Sequence, residues 1–137
     1  MASRHTCTYR VSYGDTDRMD RVYYANYLEI CERARTEFLR AAGLPYREIE
    51  ARGWFFPVRS CQIRYYGYAN YDDELTCLTR ISKLGHATLV FATDITRTDS
   101  AKPLVSATVE LACVGREGKP CVIPEELRGI LVPYLEK

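Results

Sequence analysis

The sequence predicts an α+β domain in which a curved antiparallel sheet of about five strands wraps around one long helix. Three observations lead there. A single stretch, Asn26 to Ala42, repeats apolar residues at helical spacing. Four later stretches are long and rich in Val, Ile, Thr and Tyr, as strands are. Short turns such as Leu84-Gly85-His86 and Thr98-Asp99-Ser100 join them, which favours antiparallel neighbours.

Taken in order, Thr8 to Gly14 alternates as a strand, and a polar turn, Asp15 to Arg21, follows it. In the helix, Tyr27, Cys31, Ala34 and Phe38 form the apolar stripe, widened by Leu28, Leu39 and Ala42. Glu29, Glu32, Arg33, Glu37 and Arg40 mark the wet side, and Arg33 and Arg35 are expected to pair with Glu29, Glu32 or Glu37. Asn26 with Glu29 three residues later reads as a capping box, and Gly43 followed by Pro45 as a stop. Tyr46 to Arg52 adds a short helical turn. The strands are Phe56 to Tyr66, Glu74 to Leu84, Ala87 to Thr98 and Pro103 to Val114, and Pro124 to Leu135 is a terminal helix. Asp72 and Asp73 are expected to close a turn, and the tyrosines near strand ends to pack on the sheet. One helix leaves a sheet face and an edge uncovered, so a homo-oligomer, dimer or tetramer, is expected.

A length of 137 residues argues for one domain over residues 1–137. With 47% hydrophobic and 27% charged residues the chain can bury a core. Its net charge of +1, from 19 basic and 18 acidic residues, provides no field for drawing in nucleic acid. The opening stretch Met1 to Arg10 carries no apolar run, and no segment approaches the length of a membrane span, so a cytoplasmic location is expected. Six cysteines lack any C-x-x-C pair and His5 and His86 are the only histidines, so no metal site is expected. The thiols read as reduced, small hydrophobic residues rather than as the chemistry.

The informative stretch is Tyr13 to Tyr27. It sets two carboxylates, Asp15 and Asp17, in a turn between a strand and a helix N-terminus. Free N–H groups there can hold an oxygen as it gains negative charge, and a neighbouring carboxylate can attack a carbonyl carbon or activate water. Acidic residues before helices also serve as plain turn and capping groups, and spacing alone leaves both readings open.

Three linked blocks carry a resemblance: Y-x-D-T-D-x-x-x-x-V-x-Y-x-N-Y from Tyr13, E-R-A-R-T-E-F-L-R from Glu32, and R-Y-Y-G-Y-A-N-Y-D-D-E-L from Arg64. From about Tyr9 to Val114 the chain resembles the hotdog-fold 4-hydroxybenzoyl-CoA thioesterase family, nearest its bacterial Tol–Pal-associated acyl-CoA thioesterase branch. The resemblance implies a hotdog fold and an acyl-CoA thioesterase without metal or cofactor. An acyl-carrier-protein thioesterase and a non-catalytic acyl-CoA-binding module are the alternatives. It places Asp17 on the catalytic carboxylate, nucleophile or general base, and Asp15 on a structural one. The helix start from Tyr23 to Asn26 falls where the thioester carbonyl is polarised, with the Tyr24 N–H as donor, Asn26 beside the substrate and Tyr13 close by. Lys83, His86 and Thr88 fall in a turn that meets CoA phosphates, and the family's site spans a subunit interface. The sequence departs from the family at three places. Tyr24 stands where the branch carries a helping histidine, Asp20 replaces a usual glycine, and the phosphate turn lacks a basic run.

Overall fold

Alternating burial shapes the sheet. The structure, a computed structural model, describes residues 3–136; Met1 and Ala2 of the opening stretch, and Lys137, lie outside the described residues. Its strands are β1 (His5–Arg10), β2 (Val58–Tyr65), β3 (Glu74–Leu84), β4 (Thr88–Arg97) and β5 (Pro103–Ala112). They form one antiparallel sheet in the order β1-β3-β4-β5-β2. Along β3 the residues Leu75, Cys77, Thr79 and Ile81 are buried and their neighbours half-buried, the period-two pattern of a sheet with one covered face.

Helix α1 (Asn26–Ala42) covers that face with Tyr27, Ile30, Cys31, Ala34, Phe38 and Leu39. The core divides along this helix. Tyr27 to Ala34 pack with Val11, Val22, Ala69, Leu75 and Val105. Phe38 and Leu39 pack at the other end with Ile49 of α2 (Tyr46–Ala51) and Leu127 and Leu131 of α3 (Glu125–Leu131). The helix ends at Gly43, whose φ of 106° lies in the left-handed region and lets its N–H reach the Arg40 and Leu39 carbonyls.

Several expectations are corrected. β1 ends at Arg10 because the chain turns at once around Asp15, folding Tyr13–Asp15 into a 3-10 turn. The terminal helix breaks after Leu131 into a 3-10 turn, Val132–Tyr134, where Pro133 supplies no N–H. Arg33 pairs with Glu29 at 3.3 Å as expected, but Arg35 makes no ion pair among the described residues. Four residues after Cys31, it sits on the flank of the buried stripe. It lines a cavity of about 330 Å³ with Leu39, Phe91 and Leu131, and burial pushes its guanidinium pKa down.

Strand β2 stands apart. It is an edge strand, and all its residues are exposed except half-buried Ile63. Among the described residues no helix is long and apolar enough to cross a membrane.

Candidate active site

The site is built around Asp15, the only buried carboxylate among the described residues. Its Oδ2 accepts hydrogen bonds from the Tyr9 hydroxyl at 2.7 Å, the Ser12 N–H at 2.8 Å and the Ser12 hydroxyl at 2.9 Å. Burial, and then the Asp15 carboxylate, push the Tyr9 hydroxyl pKa up, so this tyrosine remains a donor. The Asp15 carbonyl accepts from the Tyr23 N–H at 2.8 Å and the Asn26 side-chain amide at 3.0 Å. One residue thus joins the end of β1 to the start of α1.

Asp17, two residues on, is exposed. Its Oδ1 accepts from the N–H groups of Met19 at 2.8 Å and Arg21 at 3.3 Å, while its own N–H donates to the Arg21 carbonyl at 2.8 Å. Asp20 closes this small turn at a φ of 65°, which explains how Asp serves where glycine is usual. Among the described residues no donor reaches Asp17 Oδ2. One oxygen of this carboxylate holds the turn and the other is open.

The block from Arg64 to Leu75 braces the turn, and this accounts for its company with the D-T-D block. The Val22 N–H donates to the Ala69 carbonyl at 2.9 Å, and the Asn70 amide to the Asp20 carbonyl at 2.9 Å. The Tyr27 hydroxyl accepts the Ala69 N–H at 3.0 Å, and the Arg21 guanidinium lies 3.8 Å from the centre of the Tyr68 ring. Asp73 closes its turn as expected, accepting from the Asn70 N–H at 2.8 Å and Arg97 at 3.0 Å.

The expected capping box does not form. Ala25 precedes α1 and no side chain caps the helix. Asn26 is already helical and spends its amide on Asp15, while Glu29 pairs with Arg33. The helix start is left uncapped, and the Tyr24 N–H meets no acceptor among the described residues. The Tyr24 carbonyl accepts the Tyr65 hydroxyl at 2.9 Å, which fastens edge strand β2 to the helix start. Tyr65 is a contributor that sequence reasoning assigned to sheet packing; only its place in the third motif block hinted at more. Tyr13 is 81% exposed, with its ring edge-on to Tyr71 at 5.8 Å.

Lys83 and His86 are exposed in and beside the β3–β4 turn, and Thr88 opens β4. The Gly85 N–H donates to the Thr88 carbonyl at 2.7 Å, and a Cβ on Gly85 would come within 3.1 Å of the Thr88 hydroxyl. Arg128 of α3, which no sequence pattern singles out, donates to the Gly85 carbonyl at 2.7 Å and the His86 carbonyl at 3.2 Å. The 11 residues of β3 run between this turn and the Asp15 end of the sheet. At about 3.3 Å per residue the two lie roughly 30 Å apart, so one chain does not bring Lys83, His86 and Thr88 to Asp17.

A five-stranded antiparallel sheet packed on one long helix, with a D-x-D turn at that helix's start, defines a hotdog-fold domain. The sequence pattern of the Thioesterase-like superfamily matches residues 11–131. Over 121 residues, 87% of this chain and 88% of the other, the sequence is 37% identical to the acyl-CoA thioesterase YbgC of Haemophilus influenzae. The crystal structure of a probable thioesterase from Bartonella henselae is 39% identical and superposes with a TM-score of 0.82, covering 89% of this chain and 100% of that one. A hypothetical protein of Thermus thermophilus, 29% identical, superposes at 0.91 over 98% of this chain and 100% of its own. The chain belongs to the Thioesterase-like superfamily.

Asp15→Asn exchanges a charged acceptor of three hydrogen bonds for a neutral one. It is expected to lower the unfolding free energy by about 1–3 kcal/mol, read as a shifted urea midpoint with unchanged slope. An unchanged midpoint would remove Asp15 as the anchor of the turn.

Proposed function

We propose that this protein hydrolyses acyl-CoA thioesters, with Asp17 as the carboxylate that attacks the acyl carbon or activates the attacking water. The observation that carries this reading is the pairing of an open Asp17 Oδ2 with an uncapped helix start a few residues away. Held through Oδ1, the carboxylate keeps a fixed aim without losing the lone pair that does the work. As the carbonyl oxygen gains charge, the Tyr24 N–H and the positive end of α1 stabilise it. The C–S bond then breaks and CoA leaves as thiolate, which takes up a proton. With water as the attacker the acyl group departs at once as a carboxylic acid; with Asp17 as the attacker water hydrolyses the mixed anhydride, releasing the acid and restoring the carboxylate. The similarity to acyl-CoA thioesterases over most of the chain supports the same reaction class.

The working form in this reading is a dimer or tetramer acting in the cytoplasm. β2 offers an unpaired edge and two exposed faces, an invitation to a second copy. A site shared between subunits would also bring one chain's Lys83, His86 and Thr88 toward another's Asp17, with Lys83 and His86 meeting CoA phosphates and Asn26 and Tyr13 bordering the acyl end.

Three outcomes are expected. In light scattering or sedimentation the active species is at least a dimer; a stable, active monomer would contradict the shared site. Changing Lys83 and His86 together to Ala should raise KM for a CoA ester by up to about tenfold, leave kcat unchanged and spare a truncated pantetheine ester. An equal loss on both substrates would make the turn structural. Asp17→Asn keeps the side-chain shape and removes the basic lone pair, so kcat should fall at least about a hundredfold with little change in Tm. Near-normal turnover in Asp17→Asn, with activity abolished in Asp15→Asn, would reverse the assignment.

A further inference from the structure

Beyond β5 the chain folds into a tight hairpin that carries two of the six cysteines. Val114 pairs with Pro120, the Gly115 N–H donates to the Lys119 carbonyl at 2.9 Å, and the Gly118 N–H donates back to the Gly115 carbonyl at 2.9 Å. Gly118 supplies the left-handed conformation, with a φ of 77°. This register sets Cys113 opposite Cys121, whose N–H donates to the Cys113 carbonyl at 3.0 Å, and leaves their sulfurs 3.0 Å apart. Both thiols are free. A disulfide bond needs about 2.05 Å, so the sulfurs need approach by only about 1 Å.

The two cysteines differ in access. Cys113 is buried, and burial, with the Cys121 thiol beside it, pushes its pKa up to about 12. Cys121 is half-buried, on the return side of the hairpin and against the edge of the core. One partner can meet a dissolved oxidant and the other waits behind it, the arrangement of an attacking and a resolving thiol.

We propose that Cys113 and Cys121 are a redox-active pair that closes to an intramolecular disulfide on meeting a low-molecular-weight organic disulfide. The Cys121 thiolate attacks one sulfur of the oxidant, forming a mixed disulfide and releasing one small thiol. Cys113 then gives up its proton, attacks the Cys121 sulfur and displaces the second small thiol. Two protein thiols are oxidised, one organic disulfide is reduced, and both protons finish on the released thiols. Closure has a structural consequence. The two sides of the hairpin hold adjacent residues of the β3–β4 turn, Cys113 through its N–H to the Ala87 carbonyl at 2.8 Å and Ile123 through its N–H to the His86 carbonyl at 2.9 Å. The cross-link ties those two sides together and clamps the turn.

The experiment exposes the full-length protein to oxidised glutathione, blocks remaining thiols by alkylation and maps peptides by mass spectrometry without reduction. Trypsin cuts after Arg116, between the two cysteines, so a linked pair of peptides reports closure. The expected result is a Cys113–Cys121 linkage, with the whole protein about 2 Da lighter and no retained glutathione on this pair. The oxidised protein should also melt several degrees higher than the reduced one. In Cys121→Ser, a half-buried position where folding should survive, the linkage and the shift in melting temperature should both vanish. Glutathione left on Cys121 with Cys113 still alkylatable would overturn the proposal. A linkage confined to Cys7 and Cys77, which face each other across β1 and β3, would overturn it as well.

Discussion

The end of the domain where β1 passes into α1 depends on one buried carboxylate and its own carbonyl. Asp15 gathers Tyr9 and Ser12 with its side chain, and Tyr23 and Asn26 with its backbone. A buried carboxylate without donors would be strongly unfavourable, so the last residues of β1 and the turn must close around it. That closure decides where β1 stops, where α1 begins and which way Asp17 leaves the turn. It also holds the Asn26 side-chain amide, so no side chain caps the helix and the Tyr24 N–H meets no acceptor among the described residues. Two aspartates two residues apart thus differ: Asp15 is buried among three donors, and Asp17 is exposed with one oxygen open.

The remainder of the architecture serves this end and balances it. The first half of α1 packs with the segment 64–75, whose Ala69, Asn70 and Tyr68 brace the D-T-D turn. The second half packs with α2 and α3 at the opposite end. There Arg128 and the 113–121 hairpin hold the β3–β4 turn by its carbonyls. Both ends are therefore pinned by backbone hydrogen bonds from distant segments, while β2 alone is left with open faces.

Much of this was legible in the residues, for definite reasons. The bounds of α1 follow from an apolar stripe and a left-handed Gly43, both local signals, and β3 from an alternation that runs from Glu74 to Ile81 before the register shifts. The expected roles of Asp15 and Asp17 come from the resemblance rather than from spacing, which leaves turn bonding and chemistry both open. What could not be read depends on contacts far apart in sequence. Arg35 has the spacing of a surface partner, yet it lines the cavity beside Leu39 and Phe91. Tyr65 reaches the Tyr24 carbonyl across 41 residues, and Arg128 reaches the Gly85 carbonyl across 43. The closeness of Cys113 and Cys121 depends on a hairpin whose Gly118 turn was not predicted.

In the proposed reaction an Asp15-anchored turn presents a reactive carboxylate to a thioester held at the start of α1. Its most direct test is thiol release by the unmodified protein, followed with a thiol-reactive dye across short, medium, long and aryl CoA esters, with binding of each ester measured in parallel. Multiple turnovers are expected on at least one ester, with acid and free CoA formed in equal amounts. Tight binding of acyl-CoA with no thiol released from any ester would contradict it and leave a binding module in its place.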